Sequence, residues 1–384
     1  RRPRFHNDLL LLLRTKQGNA MNIVLLGLSI TSSWGNGHAT TYRSLVKALQ
    51  SRAHQVLFLE REAAGLASHQ DLPNPDYCQI AHYASASDLS KQFTEQVREA
   101  DLVIVGSSLE DGKAIGEWVF KTARGIKAFY DLDAPTTIAG LEQGNLPYLS
   151  ADMVPRFDLY LSCSGGPTLD LLEQKYGSPM ARPLYFCFDP EFYFHEYREI
   201  KWDLGYLGTY SEDRMPGLTK LMLDAADQWP DGRFAVAGAR YPNDMGWTSN
   251  VSILQHLTPT QHRDFFNSQR FTLSIARADM SKIGYTPSMR LFEAAACCIP
   301  VISDHWEGIE SIFEPETEIL ISTGAKDTLR YLREICNTER KTIGSRARRK
   351  VLSLHTADHR AQELEGYAAE LMTLNTRGER QLAI

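Results

Sequence analysis

The stretch Asn22–Leu28 (NIVLLGL) is a continuous apolar run, which is typical of a β-strand covered on both faces of a sheet. A polar loop with two glycines follows at Ser29–His38 (SITSSWGNGH). Ala39–Ser51 then spaces its apolar residues as a helix does, and Gln55–Leu59 (QVLFL) predicts a second strand. A strand, a loop, a helix and another strand in this order predict a doubly wound α/β unit with a parallel sheet.

The alternation of strands and helices continues to about residue 185 and then starts again. Between the two series lies a proline- and aromatic-rich passage, Pro179–Phe194, and we expect a hinge near Pro183–Pro190. We therefore predict two Rossmann-like α/β domains that face each other across a cleft, over residues 21–185 and 186–355. Residues 356–384 are expected to form a C-terminal helix that packs back on the first domain, and residues 1–20 an N-terminal extension. The further predicted strands are Asp101–Gly106, Ala128–Tyr130, Leu159–Ser162, Leu204–Leu207, Arg233–Ala237, Val251–Leu254, Phe271–Ile275, Pro300–Ser303 and Ile319–Ser322.

The composition agrees with two folded domains and excludes several classes of protein. A hydrophobic fraction of 43% in 384 residues can fill two or three cores, which excludes global disorder. The net charge of −6 argues against general nucleic-acid binding. Six scattered cysteines without a C-x-x-C pair predict reduced thiols, a cytoplasmic location and no zinc site. Nothing in the composition predicts the oligomeric state.

One segment, Arg340–Lys350 (RKTIGSRARRK), carries six basic residues and no acidic one. Two interpretations of this segment remain open. It is either the solvated face of a helix or a peripheral contact with an anionic surface or acceptor.

The loop after the first strand is the first candidate for a site, because ligands of doubly wound sheets bind outside the carboxyl ends of the strands. The loop contains the pattern G-x-G-x-x-T, formed by Gly35, Gly37 and Thr40, and Glu60 ends the second strand. Together these residues resemble a dinucleotide-binding fingerprint. The first glycine comes too late after the strand for that fingerprint, so an NAD-dependent oxidoreductase is a distant alternative. The loop is instead expected to expose backbone N–H groups and His38 to the cleft. His38 is then a general base, a ligand of the substrate or a structural histidine.

Two aspartates follow the predicted strand at Ala128–Tyr130, and Asp131-Leu132-Asp133 forms a D-x-D sequence. Three roles remain open for this pair: binding a metal, serving as a base or substrate ligand, and capping the loop. Of the three, the metal role is the least favoured.

The second domain contains groups suited to a diphosphate. Its first strand ends in Gly208-Thr209-Tyr210-Ser211-Glu212-Asp213-Arg214, a turn of small residues followed by a cation. Backbone amides and a guanidinium at the carboxyl end of a strand can bind a diphosphate. Arg277 follows a later strand and is expected to serve the same purpose.

A helix predicted at Ser288–Ala296 adds two more charged candidates. Ser288 is a natural N-cap, Arg290 lies in the first turn, and Glu293 follows one turn later. Arg290 could neutralise a leaving diphosphate, and Glu293 could accept hydrogen bonds from the vicinal hydroxyls of a ribose. The alternative is a surface ion pair between the two side chains.

The stretch Gly284–Ile312 (GYTPSMRLFEAAACCIPVISDHWEGIESI) resembles the signature of GT-B glycosyltransferases. It is most similar to the CgeB-like, spore-maturation-type group within the retaining group-one superfamily. Asn22–Glu60 also resembles the acceptor domain of that family, with its strand, Gly-rich loop with His, helix and second strand. The resemblance implies the GT-B architecture for most of the chain.

The resemblance further implies that the second domain binds a nucleotide-sugar donor. Glu293 would bind the ribose, Arg214 or Arg277 the diphosphate, and the Glu307-Gly308 turn would lie near the sugar or the phosphates. The superfamily often has two glutamates separated by seven residues, but Tyr285 occupies the first of these positions. This departure leaves the sugar and the stereochemistry open. The expected donor-binding residues are Gly208, Tyr210, Arg214, Arg277, Tyr285, Ser288, Arg290, Glu293, Glu307 and Gly308, and the expected acceptor-side loop comprises Trp34, Gly35, Asn36 and Gly37.

We therefore expect a hexosyltransferase-type glycosyltransferase that uses a nucleoside-diphosphate sugar and neither a metal nor another cofactor. The acceptor is open among a lipid, a protein, a glycan and a small molecule. An inverting enzyme would need a base, with His38 the first candidate and Asp131 or Asp133 the next; in a retaining enzyme His38 would orient the substrate. The alternatives are a nucleotide-sugar epimerase on the same scaffold and a noncatalytic nucleotide-sugar-binding protein.

Overall fold

The computed structural model describes residues 20–62, 68–242 and 245–382, and side chains as far as residue 374. The predicted extension over residues 1–20 therefore lies, apart from residue 20, outside the described residues. Two separate parallel sheets account for the strands, as the alternating pattern predicts.

The first sheet has seven parallel strands in the order β3-β2-β1-β4-β5-β6-β7. Its central strands are buried along almost their whole length, because helices cover both faces of the sheet and apolar side chains pack between the sheet and the helices. The chain reverses its direction of winding between β1 and β4, which opens a crevice at the carboxyl ends of these two strands. The strands are β1 Asn22–Gly27, β2 Gln55–Arg61, β3 Gln79–Tyr83, β4 Leu102–Gly106, β5 Ile126–Asp131, β6 Leu159–Ser162 and β7 Ala181–Pro183.

The second sheet has six parallel strands in the order β10-β9-β8-β11-β12-β13. Its winding reverses between β8 and β11, so this sheet also has a crevice at the ends of its central strands. The strands are β8 Trp202–Leu207, β9 Phe234–Ala237, β10 Val251–Leu254, β11 Gln269–Ser274, β12 Val301–Ser303 and β13 Leu320–Ile321.

Most helices lie between strands, as parallel connections require, and the last three follow the final strand. In the first domain they are α1 His38–Ser51, α2 Ala86–Gln92, α3 Thr94–Glu99, α4 Gly112–Thr122, α5 Ala134–Gln143 and α6 Pro167–Gln174. In the second they are α7 Met215–Leu218, α8 Asp224–Asp227, α9 Pro259–Asn267, α10 Ala278–Ile283, α11 Met289–Ala296, α12 Ala325–Glu334 and α13 Asn337–Leu354, followed by α14 Ala357–Leu382.

The C-terminal helix α14 packs against the first domain. Glu365 accepts two hydrogen bonds from Arg52, the residue that follows α1, from its Nε and Nη2 atoms, each 2.7 Å long. Glu365 Oε1 also lies 2.8 Å from His54 Nε2, and Tyr367 donates to the carbonyl of Pro183 at 3.1 Å. These contacts join α14 to the segment that follows α1 and to the start of the hinge.

The basic segment Arg340–Lys350 lies within α13, and part of it is engaged in the fold. Arg340 donates to the carbonyl of Arg270, and Arg348 donates to the carbonyl of Ala296. Contact with an anionic surface stays a prediction for the exposed remainder. No helix in the described part of the chain combines the length and the apolarity needed to cross a lipid bilayer.

Candidate functional site

A cavity of about 400 Å³ lies between the two domains, at the carboxyl ends of the central strands of both sheets. Loops after β1, β4 and β5 form one wall, and loops after β8 and β11 together with the start of α11 form the other. Its polar lining includes Ser33, Asn36, His38, Thr40, Ser108 and Asp133 from the first domain, and Arg214, His256, His262, Arg277, Thr286, Ser288 and Arg290 from the second.

The loop after β1 is held in place by a buried carboxylate, that of Glu60. One oxygen of Glu60 accepts hydrogen bonds from the hydroxyls of Ser29 (2.8 Å) and Thr31 (2.6 Å). The other accepts from the backbone N–H groups of Ile30 (2.8 Å) and Thr31 (3.1 Å). Both oxygens of Glu60 are thus occupied by the loop, which leaves this carboxylate unavailable for the ribose contact of a dinucleotide-binding site.

Asn36 and Asp71 fix the rest of this loop. The Asn36 amide donates to two loop carbonyls, and its oxygen accepts from the N–H of His38 at 3.0 Å, at the start of α1. Asp71 accepts two hydrogen bonds of 2.9 Å from Arg43 and two more from Ser33. Burial alone would raise the pKa of Asp71, but these partners lower it below its usual range. The loop therefore presents His38 from a rigid frame.

His38 and Asp133 form a hydrogen-bonded pair on the wall of the first domain. His38 Nε2 lies 3.1 Å from Asp133 Oδ2, which also accepts from the hydroxyls of Ser107 (3.0 Å) and Ser108 (2.6 Å). Burial opposes ionisation of Asp133, but His38 and the two hydroxyls outweigh burial and hold the pKa of Asp133 well below its usual range. His38 Nδ1 is buried and has no hydrogen-bond partner among the described residues.

Asp131 does not line this wall, and a catalytic role for it stays a prediction. Its carboxylate is fully buried and accepts hydrogen bonds from Tyr160 and Thr137, each 2.7 Å long. It also accepts from the backbone N–H of Asp133 at 3.0 Å. Burial raises the pKa of Asp131 to about 7. The two carboxylates thus have different partners, since Asp131 is held by Tyr160 and Thr137 and Asp133 is held by His38 and two serine hydroxyls.

Three arginines of the second domain line the opposite wall. Arg214 follows β8 at the start of α7, Arg277 follows β11, and Arg290 lies in the first turn of α11. Arg277 is paired with Asp213 at 3.3 Å, whereas the buried Nε of Arg214 has no partner in the described part of the chain. Three guanidinium groups and the N-terminus of an eight-residue helix at one cavity provide a site for a group with several negative charges.

Arg290 is oriented by two side chains beneath it. Its Nη1 forms an ion pair with Oε2 of Glu293 and lies 3.2 Å from Nδ1 of His262. His262 Nε2 donates to the carbonyl of Leu257 at 3.1 Å, so Nδ1 is left as an acceptor. Burial, and then the charge of Arg290, lower the pKa of His262 well below its usual value. The neutral His262 and the ionised Glu293 thus hold one edge of the guanidinium.

Glu293 itself lies behind the cavity wall. Its side chain is fully buried, and Oε1 has no partner among the described residues. In this structure the Glu293 carboxylate neutralises Arg290, because a charge buried this deeply requires a partner. Ribose binding by Glu293 stays a prediction.

Tyr285 connects the two domains instead of lining the cavity. Its ring lies between two glycines, so that a Cβ on Gly166 or on Gly308 would come within 2.6 Å or 2.4 Å of it. The Tyr285 carbonyl accepts from the N–H of Gly165 at 2.9 Å. Tyr285 adopts a positive φ of 49°, which is uncommon for a residue with a side chain.

The predicted site residues thus divide into two groups. Those on the cavity wall are Gly35, Asn36, Gly37, His38, Asp133, Gly208, Arg214, Arg277, Ser288 and Arg290. Those away from it are Trp34, Asp131, Tyr210, Tyr285, Glu293, Glu307 and Gly308.

Trp34 and Tyr210 lie close to the cavity without lining it. The Trp34 ring stacks on His69 with centroids 4.5 Å apart and meets His256 of the second domain edge-on at 4.7 Å. Tyr210 lines a shallow depression outside the cavity.

Sequence reasoning missed several residues of the site. Ser107 and Ser108 hold Asp133, and His262 holds Arg290. A pair of serines directly after the buried strand β4 is a signal that could have found the first two, because strand ends face the cleft. His262 had no such signal, since it lies inside α9 and reaches Arg290 only through the tertiary fold.

No group of three or more His, Cys, Asp or Glu side chains with the arrangement of a metal site occurs among residues 20–62, 68–242 and 245–382.

Comparison with known structures assigns the fold to the GT-B class of glycosyltransferases. Anabaena HepE in complex with UDP-glucose is similar, with a TM-score of 0.67 and 14% identity over 92% of this chain and 99% of HepE. Sucrose-phosphate synthase from Thermosynechococcus elongatus has a TM-score of 0.65 and 14% identity over 92% of this chain and all of that one. An alpha-glucosyltransferase in complex with UDP-glucose and DNA containing an abasic site has a TM-score of 0.70 and 12% identity over 91% of this chain and all of that one.

The sequence comparison is consistent with this fold. Residues 214–366 match the family model described as Glycosyl transferase-like. The match covers less than half of the chain and spans the second domain from Arg214 through α11 to α14. No curated protein matches the sequence.

Proposed function

We propose that this protein is a glycosyltransferase that moves a sugar from a nucleoside-diphosphate sugar to an acceptor hydroxyl or other nucleophile. The observation that carries the proposal is the cavity between the domains, with three arginines and a helix N-terminus on one wall and the His38–Asp133 pair on the other. The family match over residues 214–366 supports it, since that range contains all three arginines. The similar structures bound to UDP or UDP-glucose support a donor of the same kind.

The arginines would act on the leaving group. As the bond between the anomeric carbon and the diphosphate breaks, negative charge develops on the departing oxygen. Arg214, Arg277 and Arg290 and the amides at the start of α11 are already oriented toward the cavity, so they can stabilise this charge without reorganising. Closure of the cleft would exclude water and limit hydrolysis of the donor.

The finer parts of the proposal are a hexose as the transferred sugar, a reaction without a metal and a place in the CgeB-like group. A cytoplasmic location is also part of it, supported by six cysteines that are all free. The acceptor is left open. General nucleic-acid binding is not proposed, because the chain carries a net charge of −6.

Thermal unfolding in the presence of UDP, GDP, TDP, CDP, ADP and NAD tests the donor site. One nucleoside diphosphate at 100 times its dissociation constant should add about 2.7 kcal/mol of stability. Arg214→Gln should weaken binding of that diphosphate by about ten- to a hundredfold, because a charge-assisted hydrogen bond is lost. Arg124→Gln, which removes an exposed arginine of the first domain, is the matched control and should bind normally.

Binding of no diphosphate, or of NAD alone, would contradict the proposed function. An epimerase would return an altered nucleotide sugar without releasing the diphosphate, and a noncatalytic binding protein would return the donor unchanged. Product analysis of the donor therefore separates these alternatives from a transferase.

A further inference from the structure

We infer that Tyr193, in the connection between the two domains, is a positioning residue for Arg290, and that its hydroxyl couples diphosphate binding in the cavity to the contact between the domains. The inference rests on the proposed function and deepens it, since it concerns the same arginine wall. Three features of the structure carry it: the hydrogen bonds around His262, the attachment of Tyr193 to both domains, and the exposure of Arg290 in the cavity.

The hydroxyl of Tyr193 and the guanidinium of Arg290 contact the same nitrogen of His262. Nδ1 of His262 lies 3.2 Å from Tyr193 Oη and 3.2 Å from Arg290 Nη1. His262 Nε2 carries the imidazole proton, because it lies 3.1 Å from the carbonyl of Leu257, which can only accept. Nδ1 of the neutral ring therefore offers one lone pair to two donors, and both contacts lie at the long end of the range for hydrogen bonds.

The carboxylate of Glu293 belongs to the same buried group. Its Oε2 forms the ion pair with Arg290, whereas Oε1 is buried and has no partner among the described residues. Burial first, and then the charge of Glu293, raise the pKa of Tyr193, so its hydroxyl stays protonated and remains a donor. Tyr193, His262, Arg290 and Glu293 thus form one network, in which a movement of Arg290 changes the acceptor that is available to Tyr193.

Helix α9 holds the residues on either side of Tyr193. Nη1 of Arg263 donates to the carbonyl of Phe192 at 3.2 Å, and Nδ2 of Asn267 donates to the carbonyl of Phe194 at 3.1 Å. The Tyr193 side chain between them is buried, and the histidine that its hydroxyl contacts lies on the same helix. Tyr193 therefore cannot shift along α9 without breaking these hydrogen bonds.

The same segment is also attached to the first domain. The backbone N–H groups of Phe192 and Tyr193 both donate to the carbonyl of Asp189, at 3.0 Å and 2.9 Å. The carboxylate of Asp189 accepts from Nζ of Lys47 at 2.6 Å, and Lys47 belongs to helix α1 of the first domain. A displacement of α1 relative to the arginine wall therefore moves the segment that carries Tyr193.

A diphosphate at the arginine wall would change this network. The Arg290 side chain is 23% exposed and lines the cavity. When its guanidinium donates to a phosphate oxygen, the lone pair of His262 Nδ1 is left to Tyr193 alone, and the hydrogen bond between the connection and α9 becomes stronger. Diphosphate binding and order in the connection thus favour each other, because the coupling between two sites is reciprocal.

Tyr193→Phe tests the coupling, since it removes only the hydroxyl. The ligand is the nucleoside diphosphate that thermal unfolding selects from UDP, GDP, TDP, CDP and ADP. We expect its affinity, measured by calorimetric titration, to fall about three- to tenfold, the equivalent of one hydrogen bond. The reason is that Arg290 then has the His262 lone pair to itself in the free protein and must give it up to bind a phosphate.

Tyr83→Phe is the matched control. Tyr83 is as deeply buried as Tyr193, each being 1% exposed, and its hydroxyl has no partner among the described residues. This variant should bind the diphosphate normally. Unchanged affinity in Tyr193→Phe, or an equal loss in Tyr83→Phe, would overturn the inference.

Hydrogen exchange adds a readout that a purely structural role of Tyr193 would not change. In the unmodified protein, saturating diphosphate should slow exchange of the backbone amides of residues 192 and 193 severalfold, and in saturated Tyr193→Phe this effect should be lost. Slowing that is absent from the unmodified protein, or that persists in full in the variant, would overturn the inference. Failure of the unmodified protein to bind any diphosphate would instead overturn the proposed function.

Discussion

At the scale of single residues, two aspartates two positions apart at the end of β5 have opposite environments. Asp131 faces Tyr160 and Thr137 in the interior, and burial raises its pKa to about 7. Asp133 faces His38 and two serines, which lower its pKa well below the usual range. Two residues of the same type thus differ in role, since Asp131 is held in the interior and Asp133 is the partner of the candidate base His38.

Arg290 shows how buried neighbours prepare a residue for its ligand. Glu293→Gln should lower the free energy of unfolding by about 3–5 kcal/mol, because the guanidinium loses its buried counter-ion. It should also weaken diphosphate binding, since the orientation of Arg290 relaxes. Urea unfolding and calorimetric titration measure the two effects. Glu334→Gln, an exposed glutamate at the end of α12, is the control, and equal stability of the two variants would contradict this role of Glu293.

At the scale of elements, the loop after β1 is built as a rigid frame rather than a flexible lid. Glu60 at the end of β2 holds its first half, and Asp71 with Arg43 of α1 holds its second half. The loop can therefore keep His38 in position at the start of α1 whether or not a ligand is present.

The Arg43–Asp71 pair gives this frame a pH-dependent stability. The pKa of Asp71 is lower in the folded protein than in the unfolded one, so the pair stabilises the fold at pH values above the pKa of Asp71 in the unfolded protein. This stabilisation is lost as the pH falls through the pKa of Asp71 in the folded protein. Asp71→Asn should lower the free energy of unfolding by roughly 2 kcal/mol at neutral pH, and the difference should shrink in acid. Urea unfolding of both proteins at several pH values measures the difference in stability. A difference that grows in acid would contradict a stabilising role of the ionised Asp71.

The sequence predicts the buried strands well and the edge strands only in part, since it identifies β10 and β13 but misses two others. Continuous apolar runs such as Asn22–Leu28 and Asp101–Gly106 identify central strands, because both faces are covered. β3 (QIAHY) and β7 (ARP) were not predicted, since edge strands are short or half-exposed and carry weaker patterns. The motif around α11 led to the arginine wall. The burial of Glu293 and Asp131 could not be predicted, because it depends on how the surrounding elements pack and no local pattern contains that information.

At the scale of the whole molecule, the two domains are joined on the side of the cavity by the loop around Tyr285. Its carbonyl accepts from Gly165, and the Thr286 hydroxyl lies 2.6 Å from the hydroxyl of Ser164. A tyrosine ring between glycines of both domains requires that neither glycine carry a side chain. The loop around Tyr285, which was predicted to bind the donor, is thus part of the contact between the domains in this protein.

Gly166→Ala tests this contact. The new Cβ would meet the Tyr285 ring at 2.6 Å, so the domains should separate and the affinity for the diphosphate should fall about tenfold. Small-angle scattering should show a larger radius of gyration, and calorimetry the weaker binding. Gly144→Ala is the matched control, because Gly144 has a similarly positive φ (68° against 54°) but no atom within 4 Å of a new Cβ. Equal behaviour of the two variants would contradict a role of Tyr285 in holding the cleft closed.

The most direct measurement is a crystal structure of the protein with the nucleoside diphosphate that stabilises it. The account predicts that the diphosphate lies at the start of α11, within hydrogen-bond distance of Arg214, Arg277 or Arg290, with His38 across the cavity. A diphosphate bound instead against the Gly35–Gly37 turn of the first domain would contradict the assignment of the donor site, and with it the proposed function.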